Sequence, residues 1–142
     1  MITQDICASF KSELLTGIHD FTAVTGDVFK IALFTYEATL NSSTGIYTTD
    51  NECPATGGYS AGGNILVGQG VTTSGTTVYI DFDDSVWLAS TMAAAGALIY
   101  NSTKTNKAVC VLNFGGTYTT DNKDFTVTFP SPSAATAVLI IN

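Results

Sequence analysis

Apolar residues follow two different rhythms along this chain. Near the start, Ile6, Phe10, Leu14 and Ile18 recur every four residues with Lys11, Ser12 and Glu13 off the stripe, the spacing of one helical face. The pattern predicts an amphipathic helix from about Gln4 to about His19, with Thr3 or Asp5 capping its start and Gly17 weakening its last turn. Thr22 to Asp27 reads as a connector. From Val28 onward the period drops to two. Phe29, Ile31 and Leu33 fall on one face of a strand and Lys30, Ala32 and Phe34 on the other, and since both faces are largely apolar, both are expected to be covered.

Further strands are expected at Thr77 to Phe82, Val86 to Leu88, Ala93 to Tyr100, Ala108 to Phe114, Phe125 to Phe129 and Ala137 to Ile141. Ala93 to Ala97 alone would suit a helix, but Gly96 and the following Leu98-Ile99-Tyr100 favour a strand. Asn101 to Asn106 and Asn113 to Asn122 read as separating turns, and Pro130 and Pro132 interrupt pairing before a terminal or edge strand. Asn41 to Gly75 is the least regular stretch. It holds four glycine-rich turn signatures and one possible short strand at Ile65 to Val67. A loop this long costs backbone entropy unless it meets something, either a partner or its own domain. The expected fold is mainly β, a single β-sandwich or barrel-like domain over residues 22–142 preceded by an N-terminal helix or arm over residues 1–21, forming one structural unit.

Composition narrows the function classes. The chain has 142 residues, 45% hydrophobic and 12% charged, enough for one domain with a real core. Five Lys or Arg against twelve Asp or Glu give a formal charge of -7, which repels nucleic-acid phosphates and anionic membranes. The opening Met1 to Gly17 carries an acid where a secretory signal has a basic head, and no uncharged apolar run suits a membrane helix. Cys7, Cys53 and Cys110 are odd in number and widely spaced, so reduced, partly buried thiols are expected. Asn41-Ser42-Ser43 and Asn101-Ser102-Thr103 have the form of glycosylation sequons and are read as turn chemistry. So is the echo of Tyr47-Thr48-Thr49-Asp50-Asn51 in Tyr118-Thr119-Thr120-Asp121-Asn122.

Candidate chemistry is sparse. Asp81, Asp83 and Asp84, with Asp50 or Glu52 brought near, could offer oxygen ligands to a hard cation such as calcium, but their spacing matches no calcium loop and no metal or other cofactor is expected. One histidine, His19, twelve residues from Cys7, makes no recognisable nucleophile pair, and the Gly57-Gly58 and Gly62-Gly63 pairs lack the setting of a phosphate loop. An enzyme is not expected. Function is sought instead in surfaces. Tyr47, Tyr59 and Tyr118 sit in loop-like contexts where they could stack on a sugar or a subunit, Ile65 lies within the long loop, and Ile6, Phe10 and Leu14 form the helix stripe.

The runs Phe29-Lys30-Ile31-Ala32-Leu33-Phe34-Thr35, Asn51-Glu52, Gly57-Gly58-Tyr59-Ser60-Ala61-Gly62-Gly63, Val78 to Trp87, Gly96 to Asn101 and Ala108 to Gly116 occur in this order. Together they resemble a family of small virion proteins of tailed bacteriophages, over approximately Phe29 to Phe129. The resemblance implies a capsid-decorating, or cement, protein made in the host cytoplasm and carried on the capsid surface. Its implied partner is the major capsid protein, and a homo-oligomer, with a trimer favoured, is expected. A tail or fibre component, acting as a host-surface or carbohydrate-binding module, is the alternative.

Overall fold

In a computed structural model describing residues 1–142, the two-residue alternation produces two antiparallel sheets and one short N-terminal helix, a mainly β domain. The elements are β1 (Asp5–Ile6), α1 (Ala8–Leu15), β2 (Phe29–Phe34), β3 (Asn64–Ile65), β4 (Gly70–Ser74), β5 (Thr77–Asp81), β6 (Ser85–Asn101), β7 (Lys107–Val127) and β8 (Leu139–Ile141). The larger sheet has the order β1-β7-β6-β2-β3 and the smaller β4-β5-β8.

β6 is the spine. Its second half pairs with β2 on one side, from Phe29↔Asn101 to Phe34↔Gly96, and with β7 on the other. Every residue from Ala94 to Asn101 is buried, which explains why this stretch reads as a continuous apolar run. Small side chains let neighbours come close: a Cβ on Gly96 would meet the Leu112 carbonyl oxygen at 2.5 Å and the Ile2 side chain at 2.9 Å. Both faces of β2 are covered, as its sequence predicts, with all its residues buried except half-buried Lys30.

Aromatic rings connect the sheets. Phe21 of the connector stacks on Phe29 with centroids 4.2 Å apart, Phe10 of α1 meets Phe21 edge-on at 6.0 Å, and Phe82, just after β5, lies 5.8 Å from Phe29 and 6.4 Å from Phe129. Each fully buried ring contributes roughly 1.5–3 kcal/mol by leaving water.

Three sequence expectations are corrected. The helix is half as long as its stripe suggests. Asp5 and Ile6 pair with Val111 and Cys110 as a strand, so Cys7 is the N-cap, without a side-chain cap bond. At the other end Gly17, at φ 73, stops the helix: its N–H donates to the Leu14 carbonyl and that of Ile18 to the Glu13 carbonyl, the paired bonds of a Schellman ending. The stretch Asn41 to Gly75 is not all loop, because Gly70–Ser74 forms a hairpin with β5 across Gly75, and the short strand falls at Asn64–Ile65. Finally, Val86 to Leu88 and Ala93 to Tyr100 fuse into β6, while Ala108 to Phe114 and Phe125 onward fuse into β7. The expected turn at Asn113 to Asn122 is strand instead. Its turn residues serve as bulges, with Gly115 at φ 77 and Asn122 at φ 50, where four residues of β7 lie opposite Ala95 and two opposite Thr91.

Phe29→Ala removes a fully buried ring and its stacking partner's support. The expected loss is about 3–5 kcal/mol in urea unfolding, and a loss under about 1 kcal/mol would contradict this account of the core.

Candidate functional site

The irregular chain between β2 and β3 is tied to its own domain through one carboxylate. Glu52 accepts hydrogen bonds from the Tyr47 hydroxyl (2.7 Å), the Tyr59 hydroxyl (2.6 Å) and the Gly62 N–H (2.7 Å). The Tyr59 oxygen also accepts the Leu33 N–H of β2 at 2.9 Å, and Tyr100 of β6 donates to the Gly62 carbonyl at 2.8 Å. Tyr47 stacks on Tyr100 at 4.5 Å. Burial and the Glu52 carboxylate push the phenols of Tyr47 and Tyr59 well above their ordinary value, so both remain donors. Tyr59 is only 3% exposed. Two of the tyrosines singled out in the sequence therefore hold the long loop against the sheet.

The other surface candidates divide between two places. Phe10 is buried, while Ile6 and Leu14 are half-buried against the core and line an apolar trough of about 310 Å³. Its opposite wall is Ile80 and the strand β8. Leu15 at its rim is 89% exposed and Ile141 51%. β8 pairs only with β5, so its outer edge is free. Ile65 is an exposed residue on the two-residue edge strand β3.

Tyr118, 57% exposed, belongs to a larger groove of about 530 Å³ running beside β7. Phe114 meets Tyr118 edge-on at 6.4 Å and lies 6.0 Å from Phe125, and Phe129 and Pro130 continue the wall. Phe114 and Phe125 fall on β7 as their predicted strands require; Phe125 and Phe129 are buried in the core and Phe114 packs half-buried against it. Only the pairing pattern shows that no strand covers β7 beside them.

The three acids do not converge. Asp84 Oδ1 accepts the Phe129 N–H at 2.9 Å, the Asp83 carboxylate packs against Gly68, and no group of three or more His, Cys, Asp or Glu residues is placed to hold a metal ion. Asp81 Oδ1 is buried without a hydrogen-bond partner. Burial first, and then the neighbouring charges of Asp84 and Asp83, raise the Asp81 carboxyl above its ordinary 3.8.

Cys7 and His19 serve packing. Burial, with the charges of Asp5 and Glu13, pushes the Cys7 thiol up to about 11, and burial pushes Cys53 to about 11 and Cys110 to about 12, so all three are free and protonated near neutrality. His19 Nε2 donates to Glu13 Oε2 at 2.8 Å, and its Nδ1 accepts from Asn101 Nδ2 at 3.0 Å. The Asn101 amide is oriented by its second donation to Asp27 Oδ2 and by accepting the Lys104 N–H. Asn101 is thereby buried within a structural network, and Asn41 Oδ1 accepts the Ser43 N–H at 2.8 Å, so both sequons do turn work. The echoed motifs share only a left-handed asparagine: Asn51 lies in a turn, whereas Asn122 lies in a bulge of β7, so the turn reading holds for the first motif and not for the second.

Glu52→Gln places an amide donor where three donors already converge. The expected cost is about 1–3 kcal/mol, with faster hydrogen exchange across residues 47–63, and unchanged exchange there would refute the tethering role. Glu13 supplies a pH test. Burial raises its carboxyl, but the hydrogen bonds and charges of Lys107 and His19 outweigh that and hold it below its ordinary 4.5. A depressed carboxyl contributes stability above its unfolded value and loses it as pH falls through the folded one. The stability gap between wild type and Lys107→Met, measured by urea unfolding, should therefore narrow as pH drops below 4.5. A constant gap would mean that the ion pair is not the cause.

Comparisons with protein-family models, with curated proteins and with solved structures find no match to this chain.

Proposed function

We propose that this chain is a non-enzymatic virion protein of a tailed bacteriophage that sits on the capsid surface and stabilises the shell by bridging coat subunits. The phage assignment rests on the ordered resemblance from Phe29 to Phe129. The observation that carries a binding role is the trough between α1 and β8: apolar walls, a free strand edge and protruding Leu15 and Ile141 suit burial against another protein. On this reading the two sheets are the layers of an open sandwich with its edges left for partners, and the partner is the major capsid protein. Many identical copies on one lattice share the load, so each contact can be modest. A trimer closes such contacts by symmetry.

A tail or fibre placement is separated by copy number, since decoration requires hundreds of copies per particle on the order of the coat count. Particles lacking the protein are expected to break at lower temperature and lower ionic strength than complete ones, with the added-back protein weighing as a trimer by light scattering. Leu15→Asp should leave stability within about 0.5 kcal/mol, because Leu15 is exposed, yet lower shell occupancy at least about tenfold. Particles of equal robustness with and without the protein would sink the stabilising role.

A further inference from the structure

We infer that His19 is a proton-operated latch, holding α1 against the β6–β7 hairpin while it carries one ring proton and releasing the helix when it gains a second. The His19 side chain is wholly shielded from solvent, and its two ring nitrogens face opposite kinds of partner. Nε2 lies 2.8 Å from Glu13 Oε2 on α1, and Nδ1 lies 3.0 Å from Asn101 Nδ2 at the end of β6.

The Asn101 amide cannot turn round to suit the ring. Its Oδ1 accepts the Lys104 N–H at 3.2 Å, and its Nδ2 gives its other hydrogen to Asp27 Oδ2 at 2.8 Å. Reversing it would set oxygen against the Asp27 carboxylate and one donor against another at Lys104. Nδ1 of His19 must therefore accept, and Nε2 must carry the proton that Glu13 receives. A second proton, on Nδ1, would point at an amide that also donates. Asn101 is fully buried, so the two donors would face each other away from water.

Charge works in the same direction. The ionised groups facing the ring are already matched in pairs, Glu13 Oε1 with Lys107 of β7 at 2.8 Å and Asp27 Oδ1 with Lys104 at 3.6 Å. Asp20, the next residue, turns its carboxylate to the Thr22 N–H, and Lys11 of α1 is exposed. The rings beside His19, Phe10 at 4.8 Å and Phe29 at 6.5 Å, carry no charge. A doubly protonated His19 would leave one positive charge in excess at a buried site. Parting the seam between α1 and the hairpin relieves both conflicts. Phe10, which packs on His19, lines the apolar trough, so that wall loosens with it.

The opened seam binds one proton more than the closed one, so the closed form loses stability as pH falls. Histidine ordinarily gains its second proton between about pH 8 and about pH 5, above the range below 4.5 in which the Glu13 ion pair is lost. The latch stands apart from the capsid reading, and its test needs no shell. Nitrogen spectra of isotope-labelled protein at about pH 7.5 should show His19 as the Nε2–H tautomer. Amide exchange in Ala8–Leu15, corrected for its intrinsic rate, should show opening of α1 growing by up to about tenfold per pH unit toward about pH 5, while β6 keeps its protection. His19→Gln retains one donor and one acceptor but takes up no proton, so its helix opening should stay flat over the same range. The wild-type data decide the matter even where that variant fails to fold. An Nδ1–H tautomer, a second proton taken up with α1 exchange and the Asn101 amide signals unchanged, or opening in His19→Gln that rises in step with wild type would each overturn the latch. So would a His19 that stays singly protonated until the whole domain unfolds in acid at once.

Discussion

The paired burial of β6 is the constraint on which the rest of the structure depends. From Ala94 to Asn101 this strand is sealed on both faces and paired on both edges, so its position fixes β2 on one flank and β7 on the other. Small residues permit that sealing. At Gly96 the backbone lies too close to Leu112 and Ile2 to admit a Cβ. The tight turn that follows, with Thr105 and Asn106 at positive φ, returns the chain directly into β7. A one-residue slip in this hairpin would bring a side chain to the place where only Gly96 fits against the Leu112 carbonyl.

Polar groups complete what the hairpin starts. Glu52 fastens the long loop to β2 and β6 through two tyrosines and a backbone amide, while His19, Asn101, Asp27, Glu13 and Lys107 join α1 and the connector to the β6–β7 turn. In both networks the charged or polar atoms have partners at hydrogen-bond distance, which is what makes burial of such groups affordable in free energy. The same tethering leaves the domain's unmet valences elsewhere: the outer edges of β7 and β8, and the apolar surfaces beside them. These are the parts of the molecule still able to gain from contact.

Legibility in the sequence followed the range of the physics. β2 was readable from its period-two spacing, and the second half of β6 from Gly96 and the apolar Leu98-Ile99-Tyr100 that follows it, both local signals. Gly115 and Asn122 were misread because left-handed residues serve turns and bulges alike, and only a neighbouring strand decides which. The pairing of Asp5–Ile6 with β7 was invisible for the same reason: its partners lie more than a hundred residues away. Tyr59 looked like a loop tyrosine because its partners Glu52 and Leu33 meet it only in the fold. The trough used Ile6 and Leu14 from the predicted stripe, but its far wall, β8, could be joined to them only in three dimensions. The groove beside β7 had no signature, since Phe125, Val127 and Phe129 in its lining are buried core residues and Tyr118 lies in the stretch expected as a turn.

The proposed role is that of a fold bound into a phage shell. Cryo-electron microscopy of shells reconstituted with the purified protein tests it most directly. The account predicts ordered density for this chain at symmetry-related sites on the outer capsid surface, spanning coat subunits, with the α1–β8 trough buried. Bare capsid lattices at saturating protein, or density confined to the tail, would contradict it.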